Sequence, residues 1–292
     1  MAADTGAAVR PDVAPKSQRR GGRQGSNAGA HAFLMLASVA VVFPFIWQVL
    51  TSFKTFTESL RIPPTFWPQE IHLSNYPEAF DRVPLLSMFL VSFGYAAVLV
   101  IGHVFLGAMA AYAFACLNFP GRNVIFFALL SLLMVPRQLF LLPQYEIIQR
   151  LDLINNFWGM ALPHFVGIFT VFLMRQFFMS LPRELMEAAK LDGAGPFRTF
   201  FSVMLPLAKP GLLAATVITV LYSWNDLLWP LIVISDQDKA PLSVGLANFQ
   251  GQFVTDRPVL MAAATMASLP MIVLFLVLQK QFIQGIAFSG SK

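Results

Sequence analysis

The 292-residue chain is 57% hydrophobic and only 12% charged, with a formal net charge of +5 and a mean hydropathy of +0.65. Soluble domains carry about 25% charged residues, so most of this chain meets lipid, and its basic excess points to membrane orientation rather than to nucleic acid, for which it carries no recognisable binding motif. One cysteine, Cys116, excludes an intramolecular disulfide; within its apolar run it reads as a small apolar residue, and no zinc or redox motif accompanies it.

Residues 1–30 are rich in Gly, Ala, Arg and Pro and have no apolar periodicity. They read as a disordered cytoplasmic tail. They do not read as a signal peptide, because the basic part is long and no small-residue cleavage site follows the next apolar run. Residues 31–292 read as one transmembrane domain. A helix needs about 20 apolar residues to cross the hydrocarbon core. No charge lies between Arg23 and Lys54, Arg82 and Arg122, Asp152 and Arg175, or Arg257 and Lys280. These gaps place spans at about 32–53, 86–116, 157–177 and 259–280. Two further spans, about 123–142 and 207–234, contain Arg137 and Asp226. The fold class expected is therefore all-α and polytopic, with six transmembrane helices.

With the N-terminus inside, the inner segments hold 13 of the Lys and Arg residues and the outer segments 7, while the acids divide 5 inside and 10 outside. Both termini are thus expected in the cytoplasm. The first outer loop, "RIPPTFWPQEIHLSNYPEAF", intersperses four prolines with aromatic residues and is expected to be firmly ordered.

In the second inner span-to-span connection, residues 181–206, the chain turns polar. Ser180 is expected to cap a helix beginning "LPRELMEAAK", with Pro182 tolerated in its first turn. Asp192-Gly193 ends it, since glycine readily adopts the left-handed conformation. Phe197, Phe200, Phe201 and Met204 then form an apolar stripe at helical spacing, and Leu205-Pro206 stops the second helix. Such a helix-turn-helix either lies on lipid or docks in a groove of a cytoplasmic partner. Ala188 and Ala189 favour docking, because small residues let another surface approach the backbone.

In the fifth span "LYSWNDLLWP" brings Trp224, Asn225 and Asp226 into the membrane. Lys209 and Asp226 are 17 residues apart, about 25 Å of helix, which puts Asp226 near the outer interface. Intramembrane ionisable residues tend to face a cavity or a partner. One reading makes these three residues a translocation path, with Trp224 stacking on a sugar face and Asn225 bonding hydroxyls. The other confines them to inter-helix hydrogen bonds. Arg137 reads as snorkelling to the headgroups. His103 and His164 read as structural, since no chain of carboxylates accompanies them, and Gly107–Ala111 as a small-residue packing face.

The inner connection also carries a resemblance. Glu187-Ala188-Ala189, three residues, Gly193, nine residues, Val203, one residue, Leu205-Pro206 is similar to the "EAA" loop of ABC-importer permeases, with Val203 where that pattern has Ile. "TSFK", "NYPEAF", "AAYAFACLNFPGR", "MVPRQ", "SWNDLLWP" and "QKQFIQGIAFSGSK" resemble the maltose-type carbohydrate-importer permeases over nearly the whole chain after the tail. Within that subfamily the chain looks like the shorter, six-span subunit. The resemblance implies the type I (MetI-like) importer permease fold in a bacterial inner membrane. It implies a heterodimer with a second permease subunit, two cytoplasmic ATPase subunits and an external substrate-binding protein. It implies that the loop is a coupling helix in a cleft of the ATPase, where Glu187 pairs with a basic residue, Ala188 and Ala189 allow close contact, and Gly193 permits the turn, with Leu205 and Pro206 completing the motif. ATP and magnesium would be bound by those partners. This chain has no Gly-x-x-x-x-Gly-Lys-[Ser/Thr] loop and is not expected to be an enzyme or to carry a cofactor or metal. The substrate implied is a carbohydrate, with glycerol-3-phosphate or a glycerophosphodiester as the alternative within the subfamily. A proton- or ion-coupled secondary transporter would call for inverted repeats and buried charge pairs, of which none is convincing. A membrane enzyme would call for His, Asp or Glu clustered near one face, which four scattered histidines do not supply.

Overall fold

The computed structural model of the chain describes residues 28–249 and 255–289; residues 1–27 of the expected tail lie outside them. Among the described residues all regular structure is helical. The chain divides into two units, residues 1–45 and 46–292. In the first, residues 28–45 are helical, and every side chain from Gly29 on is exposed, apolar ones included. Ser38 turns its hydroxyl back onto the Leu34 carbonyl (2.7 Å), which hides a polar group that lipid could not satisfy.

The second unit opens with the last turn of α1 (Ala28–Thr51) and an ordered loop to the next span, holding α2 (Phe56–Ser59) and α3 (Asn75–Arg82). Thr55 caps α2 by accepting from the Glu58 N–H at 3.1 Å. The buried Glu58 carboxylate accepts from Thr65 Oγ1 and from the Gln69 N–H, and Lys54 donates to the Thr65 carbonyl. Buried Asn75 donates to the Ser52 and Lys54 carbonyls at 2.8 and 2.9 Å. The loop is therefore held by its polar side chains as well as by its prolines. Asn75→Ala leaves those carbonyls without this donor and is expected to cost about 1–3 kcal/mol, read as a lower unfolding midpoint of the purified protein.

Helix α4 (Leu85–Val100) passes through a π-helical turn at Ile101–Leu106 into α5 (Gly107–Cys116), giving one apolar span of 32 residues. Gly107, Ala108 and Ala111 are buried, and α5 lies along α9 (Ile168–Ser180). Lipid tails are as apolar as leucine, so close approach at small residues, more than hydrophobic burial, holds such helices together. The last long helix is α16 (Arg257–Ser289). Three helical stretches, Gly29–Thr51, Leu85–Cys116 and Arg257–Gln279, are long and apolar enough to cross a membrane alone.

The remaining crossings are broken. α6 (Arg122–Ser131), prolonged by a 3-10 turn to Met134, meets the segment that becomes α7 (Leu141–Arg150) at 101°. Pro136 lies at this break, and Val135 before it is extended, as a residue preceding proline favours. α8 (Phe157–Ala161) and α9 meet at 42°. After α10 (Glu184–Leu191), the segment of α11 (Pro196–Thr199) and α12 (Leu205–Leu207) meets α13 (Lys209–Trp224) at 79°. α14 (Leu228–Val233) and α15 (Leu242–Asn248) follow. With each bent pair as one span, the described chain contains up to six.

Two buried clusters fill the second unit. One gathers Met88, Tyr95, Leu99, Trp229 and Val259, the other Tyr112, Met174, Phe178, Phe200 and Met204. Along α4–α5 they flank His103. Its Nε2 lies 2.7 Å from the His164 carbonyl, which can only accept, so Nε2 carries the proton and Nδ1 is an acceptor. Thr170 Oγ1 and Thr219 Oγ1 lie 3.3 and 3.2 Å from Nδ1. His103 is thus a hydrogen-bonded tie between three crossings, in keeping with its structural reading.

Candidate coupling surface and translocation path

Helix α9 runs through Ser180, whose Oγ donates to the Phe177 carbonyl at 2.8 Å. Ser180 therefore closes α9 and does not cap the next helix, contrary to the sequence expectation. The cause is Pro182: Leu181 before it is extended (ψ 145°), so the chain leaves the helix there and α10 begins only at Glu184, beyond Arg183.

The end of α10 follows the expectation. Gly193 has φ +74°, its N–H donates to the Lys190 carbonyl (3.0 Å), and the Ala194 N–H donates to the Ala189 carbonyl (2.9 Å). This pair of bonds is a Schellman motif, which satisfies helix-end carbonyls by means of a left-handed residue. Glu187 and Ala188 are exposed on α10, whereas Ala189 is buried within the chain. At the tip Leu191 and Phe197 are 89% and 70% exposed.

The second half is less regular than its spacing indicates. Residues Phe200–Met204 form a π-helical turn. Phe200 and Met204 are buried beside Tyr112 and Phe178, while Phe197 and Phe201 remain exposed, so the expected stripe is divided between core and surface. Leu205 is half-buried against the same cluster, and Pro206 is exposed. Leu205-Pro206 does not end the helix: α12 continues to Leu207, and the chain turns at buried Ala208. Pro206 lies just after the π-helical turn and two residues before the 79° bend, where the regular helix bonding is already interrupted. The six motif residues thus split. Glu187, Ala188, Gly193 and Pro206 face outward, and Ala189 and Leu205 pack inward.

At the other end of α13, Trp224 is 8% exposed, packs edge-on against Phe93 (5.1 Å between centroids) and donates to the Ala267 carbonyl at 3.1 Å. The helix stops there. Exposed Asn225 donates to the Leu221 carbonyl of its own helix at 2.8 Å. Asp226 accepts from the fully buried Tyr95 hydroxyl at 2.9 Å through Oδ2, and its carbonyl accepts from Ser243 Oγ at 2.6 Å. Arg137, exposed just beyond the 101° break, places its guanidinium carbon 4.4 Å from the Tyr222 ring centre. Among the described residues no carboxylate lies within ion-pair distance of Arg137. His164 flanks Tyr222 on one side and Trp229 on the other, each at 6.0 Å.

A cation, an anion and two tyrosines thus collect where two of the helical paths are broken. Tyr95 and Tyr222 did not emerge as site residues from the sequence. The available signal was the tyrosine hydroxyl itself, one of only five in the chain, set in otherwise apolar spans.

Among the described residues, three helices long and apolar enough to cross a membrane, three broken crossings and a polar helix-turn-helix mark a polytopic membrane protein. The chain belongs to the family described as binding-protein-dependent transport system inner membrane component, whose model matches residues 27–287. It is 35% identical over 263 residues to an arabinooligosaccharides transport system permease protein of Halalkalibacterium halodurans, covering 89% of this chain and 94% of the relative. It is 34% identical to an sn-glycerol-3-phosphate transport system permease protein of Pectobacterium atrosepticum, covering 91% and 98%. Its fold matches, with a TM-score of 0.79 at 22% identity, a chain of a bacterial ABC transporter involved in the import of the acidic polysaccharide alginate, over 88% of this chain and 96% of that one. The chain is a membrane-embedded permease component that works with a binding protein, and the all-α permease fold is the one expected.

Proposed function

We propose that this chain is the shorter of two permease subunits in a carbohydrate importer, driven by two cytoplasmic ATPase subunits and fed by an external binding protein. Both termini and the 181–206 connection lie in the cytoplasm, as the Lys and Arg distribution favours. The observation that carries the reading is the tip of that connection. Glu187 and Ala188 stand exposed about one and a half turns before the left-handed Gly193, near the outward Leu191 and Phe197. A lipid surface would accept the two apolar side chains as well, but the small, exposed Ala188 beside Glu187 lets another protein surface approach the backbone, so a protein cleft with mixed walls is the better fit.

The translocation path runs past Asn225, Asp226, Tyr222 and Arg137. Trp224 backs this wall from the packed side, since Phe93 and the Ala267 carbonyl already engage its ring and its N–H. Carboxylate, amide, guanidinium and an aromatic face are the groups with which proteins hold hydroxylated substrates. Asp226→Asn and Arg137→Gln are each expected to lower uptake about tenfold, the loss of one charged hydrogen bond, with basal ATP hydrolysis unchanged. Transport at the wild-type rate in both variants would remove these residues from the path.

The glycerol-3-phosphate alternative is supported by the 34% identical sn-glycerol-3-phosphate permease relative and by the exposed Arg137 without a carboxylate partner, which suits a phosphate. Titration of the purified binding protein against oligosaccharides and glycerol phosphates decides between the two. Saturable binding of glycerol phosphates alone would overturn the carbohydrate assignment.

A further inference from the structure

A cavity of about 450 Å³ lies where the end of α1, the first outer loop and the start of α16 come together within the second unit. Its walls include Trp47, Thr51, Lys54, Glu58, Arg61 and Arg257. We infer that this cavity is a phosphate-binding site at the outer membrane interface, made for the phosphodiester headgroup of an anionic phospholipid or for a soluble phosphate ester.

Charge comes first. Three cations and one anion line the cavity, and two of them are already engaged. Lys54 and Glu58 are buried: Lys54 donates to the Thr65 carbonyl and sits 4.7 Å over the Trp47 ring, and Glu58 accepts from Thr65 and Gln69. Arg61 and Arg257 are exposed, and among the described residues neither guanidinium has a hydrogen-bond or ion-pair partner; the Arg61 backbone N–H donates to the Glu58 carbonyl. The carboxylate nearest to Arg257 in sequence, Asp256, is taken by Arg82 at 2.7 Å. The rim therefore presents two guanidinium groups, whose planar forks of N–H donors can each bond two oxygens of a phosphate.

The second observation is independent of charge. Thr51 lines the same cavity, is 8% exposed, and its buried Oγ1 has no hydrogen-bond partner. A buried hydroxyl without a partner costs about 1–3 kcal/mol, and a threonine there could have returned its proton to its own helix, as Ser38 does. Oγ1 as it stands lies beneath the cavity wall, and in the proposed complex the Thr51 side chain turns to donate to a phosphate oxygen.

Position argues for lipid as a source. Thr51 ends one apolar span and Arg257 begins another, so the cavity sits at headgroup level, beside the interface-favouring indole of Trp47. A bound phosphate would bridge the outer loop, through Arg61, to the last span, through Arg257. The site is separate from the Asp226–Arg137 path and does not depend on which substrate is carried.

The test uses the full-length chain, with the partners that purify with it, in phosphatidylcholine nanodiscs. One arm adds increasing phosphatidylglycerol, the other inorganic phosphate, and both follow the unfolding midpoint and the phospholipid retained in native mass spectrometry. The expected result is a saturable rise in midpoint. In the double variant Arg61→Gln/Arg257→Gln the apparent affinity should fall at least about tenfold. In Thr51→Val, which keeps shape and charge, it should fall roughly threefold. Arg150→Gln, an exposed arginine outside the cavity, should change nothing. A response to phosphatidylglycerol alone identifies a lipid site, and a response to inorganic phosphate with the same variant dependence identifies a soluble phosphate ester site. No response in either arm, or one equal in wild type and in Thr51→Val and the double variant, overturns the proposal.

Discussion

Gly193→Pro uncouples transport. The native backbone at Gly193 has φ +74°, and its N–H closes the Schellman turn on the Lys190 carbonyl. Proline is locked near φ −65° and has no N–H, so the turn cannot form and the Leu191–Phe197 tip loses its shape. No atom outside the local chain lies within 4 Å of a side chain added at this glycine. The damage should therefore stay in the turn and leave the spans assembled. Gly193→Ala keeps the N–H and meets open space, at a cost of about 1–2 kcal/mol for the left-handed backbone, and should retain part of the activity. Glu187→Lys approaches the same contact electrostatically. Glu187 is exposed and makes no ion pair within the described chain, so its reversal should hardly alter stability. Both Gly193→Pro and Glu187→Lys are expected to reduce ATP-driven uptake by more than about tenfold, the loss of one buried interfacial charge pair or more, in complexes that still assemble. Uptake at the wild-type rate in either variant would sink the assignment of this loop to coupling.

Gly102→Ala should be a severely damaging small substitution in the membrane. A methyl group there would overlap the Phe165 carbonyl oxygen and lie 2.6 Å from its ring. The backbone of residues 164 and 165 is pressed against the π-helical turn of the second span, and the bond from His103 to the His164 carbonyl holds it there. Neither backbone can yield without parting that bond and the Thr170 and Thr219 contacts behind it. Overpacking of this kind costs about 3 kcal/mol, seen as a lower unfolding midpoint and a smaller yield from membranes. Gly94→Ala is the control, because its methyl would rest at an ordinary 3.6 Å from the Phe157 ring. Equal midpoints for the two variants would mean that the close approach at Gly102 is absent.

These two positions differ in how far they could be read in advance. Gly193 was legible because a turn between two amphipathic halves needs a left-handed residue, and the requirement is local. Gly102 was not: nothing in "VLVIGHVFLG" announces that Phe165, 63 residues later, arrives within contact distance. The same division runs through the site. Asp226 and Arg137 stood out as charges within apolar runs, but Tyr95 reaches Asp226 from another span, and Tyr222, on the same stretch as Asp226, meets Arg137 only in the fold. Ser180 misled because the cap preference is a short-range rule, and the proline two residues later overrode it. Ala189 and Leu205, grouped by spacing with the outward residues of the motif, turn inward because the helix that carries them also has to pack.

What the sequence determined by itself was class, family likeness and the location of the apolar runs. Those depend on composition and on local periodicity, which the lipid environment enforces residue by residue, since an unsatisfied polar group is costly there wherever it occurs. Only the tertiary structure decided where the spans break, which face each motif residue takes, and which distant polar side chains meet. Breaks and faces follow from how neighbouring helices pack, and in a membrane that packing depends on close steric fit and a few hydrogen bonds, neither of which has a period that a single strand of sequence displays.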